Sequence, residues 1–143
     1  MANEVEAQPV FTDEVRSFLT GRPRFATIAT VNPDGSPHQI VIWFLLRGDE
    51  IIVNSRHGRR WPSNIRRDPR ANLAIYEGED AVTIDCVLDR AYEGEDAQAD
   101  IAEMARRYDS PEVAEREIRR YRTDRRLGFV LRPRRVHVHG DPQ

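Results

Sequence analysis

The stretch IIVNSRHGRRWPSNIRRDPR, residues 51–70, decides how the chain is read. An apolar strand, Ile51-Ile52-Val53, runs into Asn54 and Ser55. Arg56, His57, Gly58, Arg59 and Arg60 follow, and then a short helix that Asp68-Pro69-Arg70 stops. Small polar residues and arginines thus gather at a strand-to-helix turn. Such a turn suits a bound phosphate, because guanidinium groups and the free N–H groups of a helix start face the anion together. A solvated basic loop has the same composition, and these residues alone do not separate the two readings.

Upstream, Phe25–Val31 is β-rich and Asn32-Pro33-Asp34-Gly35 is a turn, with proline presetting φ and glycine accepting a positive one. A long strand returns over Ser36–Arg47, and Gly48-Asp49-Glu50 turns it into Ile51–Asn54, so three strands form a meander. From Ile40 to Leu46 both alternating sets are apolar: Ile40, Ile42, Phe44 and Leu46 on one side, Val41, Trp43 and Leu45 on the other. An antiparallel strand with one wet face should alternate. One set can face a barrel core; the other needs a helix, a subunit partner or a flat ligand.

The remaining elements are read in order. Residues 1–11 form a loose arm, and Thr12 or Asp13 caps a short helix carrying Val15, Phe18 and Leu19. Downstream of the central stretch, Ala71–Tyr76 and Ala81–Tyr92 are strands and Glu93–Asp96 is an acidic loop. Helices span Ala97–Tyr108 and, after Ser110-Pro111, continue to about Thr123. Leu127–Leu131 and Val136–Val138 make a last strand, interrupted at Pro133 and therefore bulged or at an edge. The expectation is one mainly β domain over residues 1–143, with short helices, whose hairpin links argue for a small antiparallel barrel of about six strands.

Composition removes several classes of function. The 143 residues carry a formal net charge of -2, and every one of the 22 basic residues is arginine. Without lysine there is no Schiff base, and the acidic balance opposes nucleic-acid binding. Cys86 is the single cysteine, so neither an intrachain disulfide nor a cysteine metal cluster can form. His137 and His139 share one strand face but lack a third ligand, so no metal site is assigned. No Ser-His-Asp order, P-loop or GxGxxG occurs. The N-terminus MANEVEAQPV has no basic start or apolar run, and nothing resembles a membrane span. A soluble cytoplasmic protein is expected.

The PDG turn, the strand ending in Trp43-Phe44 and the run GRxxxxNxxRDPR from Gly58 to Arg70 resemble the pyridoxamine 5′-phosphate oxidase-like split-barrel superfamily. Within it, the chain most resembles the branch that uses the deazaflavin cofactor F420, and Thr123-Asp124-Arg125-Arg126 adds to that likeness. The resemblance implies a homodimer of six-stranded antiparallel split barrels, with two equivalent cofactor sites at the dimer interface. It places the cofactor ring against the strand at Val41–Trp43 and counts Gln39, Val41, Ile42 and Trp43 among the cofactor-binding residues. Phosphate contacts fall on Asn54, Ser55 and Arg59, with Asn64 in support. Many members carry lysine two residues after the position of Arg59; this chain has Trp61, so Arg56 or Arg60 would supply the missing cation, while Trp61 stacks on the ligand or packs. The implied activity is hydride transfer from reduced F420 to an electron-poor small-molecule acceptor. FMN bound by the same fold, or a non-catalytic F420 or tetrapyrrole carrier, are the alternatives. No catalytic residue is assigned.

Overall fold

The computed structural model describes residues 10–142. The chain order is α1 (Asp13–Thr20), β1 (Ala26–Val31), β2 (Pro37–Ile42), β3 (Leu45–Arg47), β4 (Glu50–Arg56), α2 (Arg60–Arg67), β5 (Arg70–Glu77), β6 (Asp80–Glu93), α3 (Glu95–Tyr108), α4 (Pro111–Tyr121) and β7 (Arg126–His139). The strands make one antiparallel sheet in the order β2-β1-β5-β6-β7-β4-β3. This is the mainly β split barrel that the sequence implies: the sheet curls around a core but does not close.

The sheet has seven strands rather than six because the returning strand breaks at Trp43-Phe44. Before the break, β2 pairs with β1, with Val41 opposite Thr27. After it, β3 pairs with β4, with Leu45 opposite Ile52. One stretch of chain therefore supplies both outer edges of the sheet. The break leaves the Phe44 backbone without a strand neighbour, and the Tyr108 hydroxyl fills the gap. It accepts from Phe44 N at 3.3 Å and donates to the Arg24 carbonyl at 2.6 Å.

The two-faced run resolves accordingly. Phe44 is buried in the barrel core with Phe18, Leu73 and Phe129, and Ile40, Ile42 and Leu46 pack against that core. On the other face, Leu45 is buried with Ile52, Met104, Ala105 and Tyr121, and Trp43 packs against them. Helices α3 and α4 thus cover two residues of the second set. Val41, the third, is 60% exposed.

Local chemistry explains the remaining boundaries. Gly35 takes φ of 87° in the hairpin turn, where Asn32 N donates to Ser36 O. Thr12 caps α1, its hydroxyl accepting from Val15 N. The loose arm gives way before Phe11, which is buried in the core; the arm's first nine residues lie outside the described residues. The acidic loop read at Glu93–Asp96 is a junction: Glu93 ends β6, Gly94 precedes α3, and Glu95 and Asp96 form its first turn, where carboxylates favour the helix dipole. β7 runs unbroken through Pro133, but a one-residue register shift lies beside it, opposite Asp85 and Cys86. β4 pairs only as far as Leu131, so Pro133 has no neighbour on that side.

If Tyr108 holds the strand break, Tyr108→Phe keeps the ring but orphans the Phe44 backbone. Urea unfolding should show a loss of about 1–2 kcal/mol.

Candidate functional site

Two strand edges lack a partner. β2 pairs only with β1, and Val53–Arg56 of β4 run past the three-residue β3. Between these edges, under α3 and α4, opens a cleft of about 330 Å³, continuous with a smaller lobe of about 150 Å³. Val41 and Ile42 from one edge and Asn54 and Arg56 from the other line both lobes.

One end of the cleft is cationic. Arg56 ends β4, and Gly58, at φ of 94°, turns the chain so that Arg59 stands at the N-cap of α2. His57 N donates to Arg125 O at 2.9 Å, tying this turn to the start of β7. Arg126, paired in register with Arg56, completes the group. Arg56 and Arg59 are exposed, and neither side chain bonds to any other described residue. A cation at a helix N-terminus opposes the macrodipole, so the turn is electrostatically unfavourable as it stands. An anion would relieve it.

Arg126 is held differently. Its side chain is 10% exposed; Nε donates to Asn54 Oδ1 at 3.0 Å and Nη1 to Asp124 Oδ2 at 3.2 Å. Burial lowers its pKa below the usual arginine range, Asp124 opposes the shift and Arg56 adds to it. The group stays a cation at any physiological pH. Asn54 donates its amide to Ala97 O at 2.9 Å while accepting from Arg126. Its place in the cleft wall is therefore that of a brace between α3 and the arginine.

The other end is flat and apolar. The Trp43 ring stacks on Tyr108 at 5.1 Å and 13°, and Phe25 meets Tyr108 at 6.0 Å. Phe25 is 62% exposed, and Ile101 and Met104 of α3 line the wall. An exposed phenylalanine beside an exposed valine, next to uncompensated guanidiniums, describes a surface suited to a planar molecule with an anionic end.

Of the residues singled out from the sequence, Val41, Ile42, Trp43, Asn54, Arg56 and Arg59 line the main lobe, and Ser55 and Trp61 the smaller one. Trp61 is 3% exposed and its ring lies 5.0 Å from Phe129, so it packs. Gln39, Arg60 and Asn64 are outside both linings. Gln39 is exposed on β2, two residues before Val41 and opposite Ala29; Arg60 is exposed at the first position of α2. Asn64 is 2% exposed and donates to Thr30 Oγ1 at 3.2 Å and Asn32 Oδ1 at 3.0 Å, pinning α2 to the β1–β2 hairpin.

The sequence reading missed the far wall: Ile101, Met104, Arg120, Tyr121 and Arg126. Asp124 and Arg126 fall in the segment that carried the family likeness, but no role could be read there. The pairing of Arg126 with Arg56 is a register fact, and only the register brings them together.

Other chemistry is absent from the described residues. No group of three or more His, Cys, Asp or Glu side chains is placed to hold a metal. Cys86 is buried, and burial pushes its thiol up to about 12. No described helix is long and apolar enough to cross a membrane.

The pyridoxamine 5′-phosphate oxidase family model matches residues 11–140. The chain belongs to this family. Solved structures share the fold at low identity. An F420 reductase has 19% identity and a TM-score of 0.68, covering 85% of this chain and 94% of its own. A conserved hypothetical protein from Mycobacterium tuberculosis has 21% identity and a TM-score of 0.74, covering 97% and 91%. The haem storage protein HutZ from Vibrio cholerae has 22% identity and a TM-score of 0.67, covering 90% and 94%. Comparison with curated proteins gives no match.

Two outcomes follow from the placement of side chains. Asn64→Ala should lower stability by about 1–3 kcal/mol in chemical denaturation, because Thr30 and Asn32 lose a buried donor. Cys86 should resist iodoacetamide at pH 8 in the folded protein and react once urea unfolds it, since the thiolate is the reactive form.

Proposed function

We propose that this family member is an F420-dependent oxidoreductase that acts as a homodimer on an electron-poor small-molecule acceptor. The observation that carries the reading is the two-ended cleft: a flat apolar surface at Val41 and Trp43, and the uncompensated cations Arg56 and Arg59 at the other end. The donor set fits the cofactor. Guanidiniums suit its phosphate and the carboxylates of its oligoglutamate tail, and the open strand edges suit a ring with polar margins. FMN offers a single phosphate, whereas Arg60, exposed just beyond the cleft, extends the cationic run outward as a tail would require. None of the four histidines lines the cleft, which disfavours an axially ligated haem. The F420 reductase among the structural neighbours supports the same choice.

Bound in its reduced form, the cofactor supplies the hydride. The chain's own residues bind, orient and shield. Arg56 and Arg59 hold the anionic end, and Asn54 and Asp124 keep Arg126 aimed beside them. Ile101 and Met104 exclude water from one wall. A second copy of the chain supplies the missing cover for the outer sheet face, where Phe25, Val41 and Tyr76 are all more than half exposed.

Fluorescence titration should rank F420 above FMN and haemin; FMN or haemin binding more tightly overturns the cofactor assignment. Arg59→Ala should weaken F420 binding by about 10- to 100-fold, the ~1.5–3 kcal/mol of a hydrogen bond to a charged group. Light scattering should give twice the chain mass; a monomer at micromolar concentration contradicts the shared cover.

A further inference from the structure

Gln98 stands near the start of α3 and lines neither lobe of the cleft. It is half-buried, and its amide nitrogen donates to two backbone carbonyls, Tyr121 O at 3.0 Å and Asp124 O at 3.2 Å. Tyr121 is the last residue of α4, so its carbonyl has no intrahelical partner. Capping explains that bond. It does not explain the second, which reaches on to Asp124, two residues before Arg126.

The two residues whose carbonyls Gln98 holds are also the two on this segment whose side chains touch Arg126. The Tyr121 ring centroid lies 4.9 Å from the guanidinium, and Asp124 Oδ2 accepts from Nη1 at 3.2 Å. A third support, Asn54, accepts from Nε at 3.0 Å and is itself fixed to the carbonyl of Ala97, the neighbour of Gln98, at 2.9 Å. Among the described residues, every hydrogen bond and ring contact of the Arg126 side chain thus traces back to residues 97 and 98 of α3. The bonds close a circuit from Ala97 through Asn54, Arg126 and Asp124 to Gln98. Arg126 lines both lobes of the cleft, and its Nη2 has no partner among the described residues. An arginine held in place beforehand loses less freedom when a ligand arrives.

We infer that Gln98 is a positioning residue for the anionic end of the cleft's ligand, acting through Arg126. This rests on the reading of the cleft as the seat of a ligand with an anionic end. Gln98 itself stays clear of the ligand. It fixes the turn that carries Tyr121 and Asp124, and that turn fixes the guanidinium. Arg59 is exposed, lies outside the circuit and contributes separately.

The test uses inorganic phosphate as the probe, followed by phosphorus NMR at constant ionic strength with no F420 or flavin present. Gln98→Met keeps the length of the side chain and removes both donors; it should weaken phosphate binding by ~5- to 10-fold. In an Arg126→Lys background, where the guanidinium that the circuit holds is gone, the same change should have no further effect. In an Arg59→Ala background it should keep its full factor, because independent sites add. Equal losses in the two backgrounds mark a merely structural role and overturn the assignment. Unchanged affinity in Gln98→Met, or no saturable phosphate binding by the wild type, overturns it as well. Should Gln98→Met not fold, Gln98→Asn, one methylene short of spanning both carbonyls, takes its place in the same cycle. Phosphate is common to F420 and FMN, so the result is independent of the cofactor titration.

Discussion

Everything about the site follows from a sheet that stops short of closing. A continuous strand over residues 37–47 with a neighbour on each side would close the sheet. Broken at Trp43-Phe44, the same segment serves β1 on one edge and β4 on the other. The cost is a backbone stretch with no ladder partner, and Tyr108 meets it from α3 with one hydroxyl that both accepts and donates. Open strand edges are a hazard for aggregation unless something covers them. Here α3 and α4 cover part of the seam, and what remains uncovered is the cleft.

The helical cover is seated on apolar contacts, with Ile101, Met104, Ala105 and Ala114 packed against Leu45, Ile52 and Val130, and ion pairs pin its margins. Glu93 is gripped by Arg125, Glu95 by Arg122 and Asp100 by Arg47. The first two pairs are exposed, and each contributes little by itself. Asp100 is 4% exposed and also accepts from the Tyr92 hydroxyl, so that junction is the stronger one. The ring of Tyr92 lies against Gly128, where even a Cβ would overlap it. Only glycine at that point of β7 lets the tyrosine reach Asp100, and so lets α3 sit where it walls the cleft. A backbone position in the sheet therefore sets the place of a helix on the far side of the site.

The sequence made the elements legible where a local rule governs them. The Asn32–Gly35 turn, the Thr12 cap and the proline-marked start of α4 are each decided by a few neighbouring residues, and each stands where it was read. The apolar pairing of Ile40–Leu46 announced two buried faces, and its even-numbered set does face the barrel core. The strand break was not legible, because Trp43 and Phe44 are both good strand residues and the interruption is imposed by topology. Glu93–Asp96 misled for a related reason: carboxylates mark a solvated loop and a helix first turn alike, and only Gly94 hints at the change. In the cleft, the strand residues and Arg56 and Arg59 were named in advance, while Tyr121 and Arg126 were not. Tyr121 stands where α4 packs on α3, and Arg126 where β7 pairs with β4, long-range relations that no spacing in one sequence encodes.

The arginines make the same division between fold and function visible. Many of them meet a carboxylate, as Arg24 meets Glu77 and Arg132 meets Asp89. Arg67 reaches a backbone carbonyl on β1. Those groups are accounted for by the folded chain. Arg56 and Arg59 stand beside a third cation, at a helix start that repels them, and no described side chain answers their charge. Tyr121 lines the same cleft, its ring beside Arg120 and Arg126. Other exposed arginines, Arg60, Arg116 and Arg119 among them, also meet no carboxylate, but Arg56 and Arg59 share one cleft with the braced Arg126. That grouping, rather than any single residue, is why the cleft reads as a place for a ligand that is anionic at one end and planar at the other.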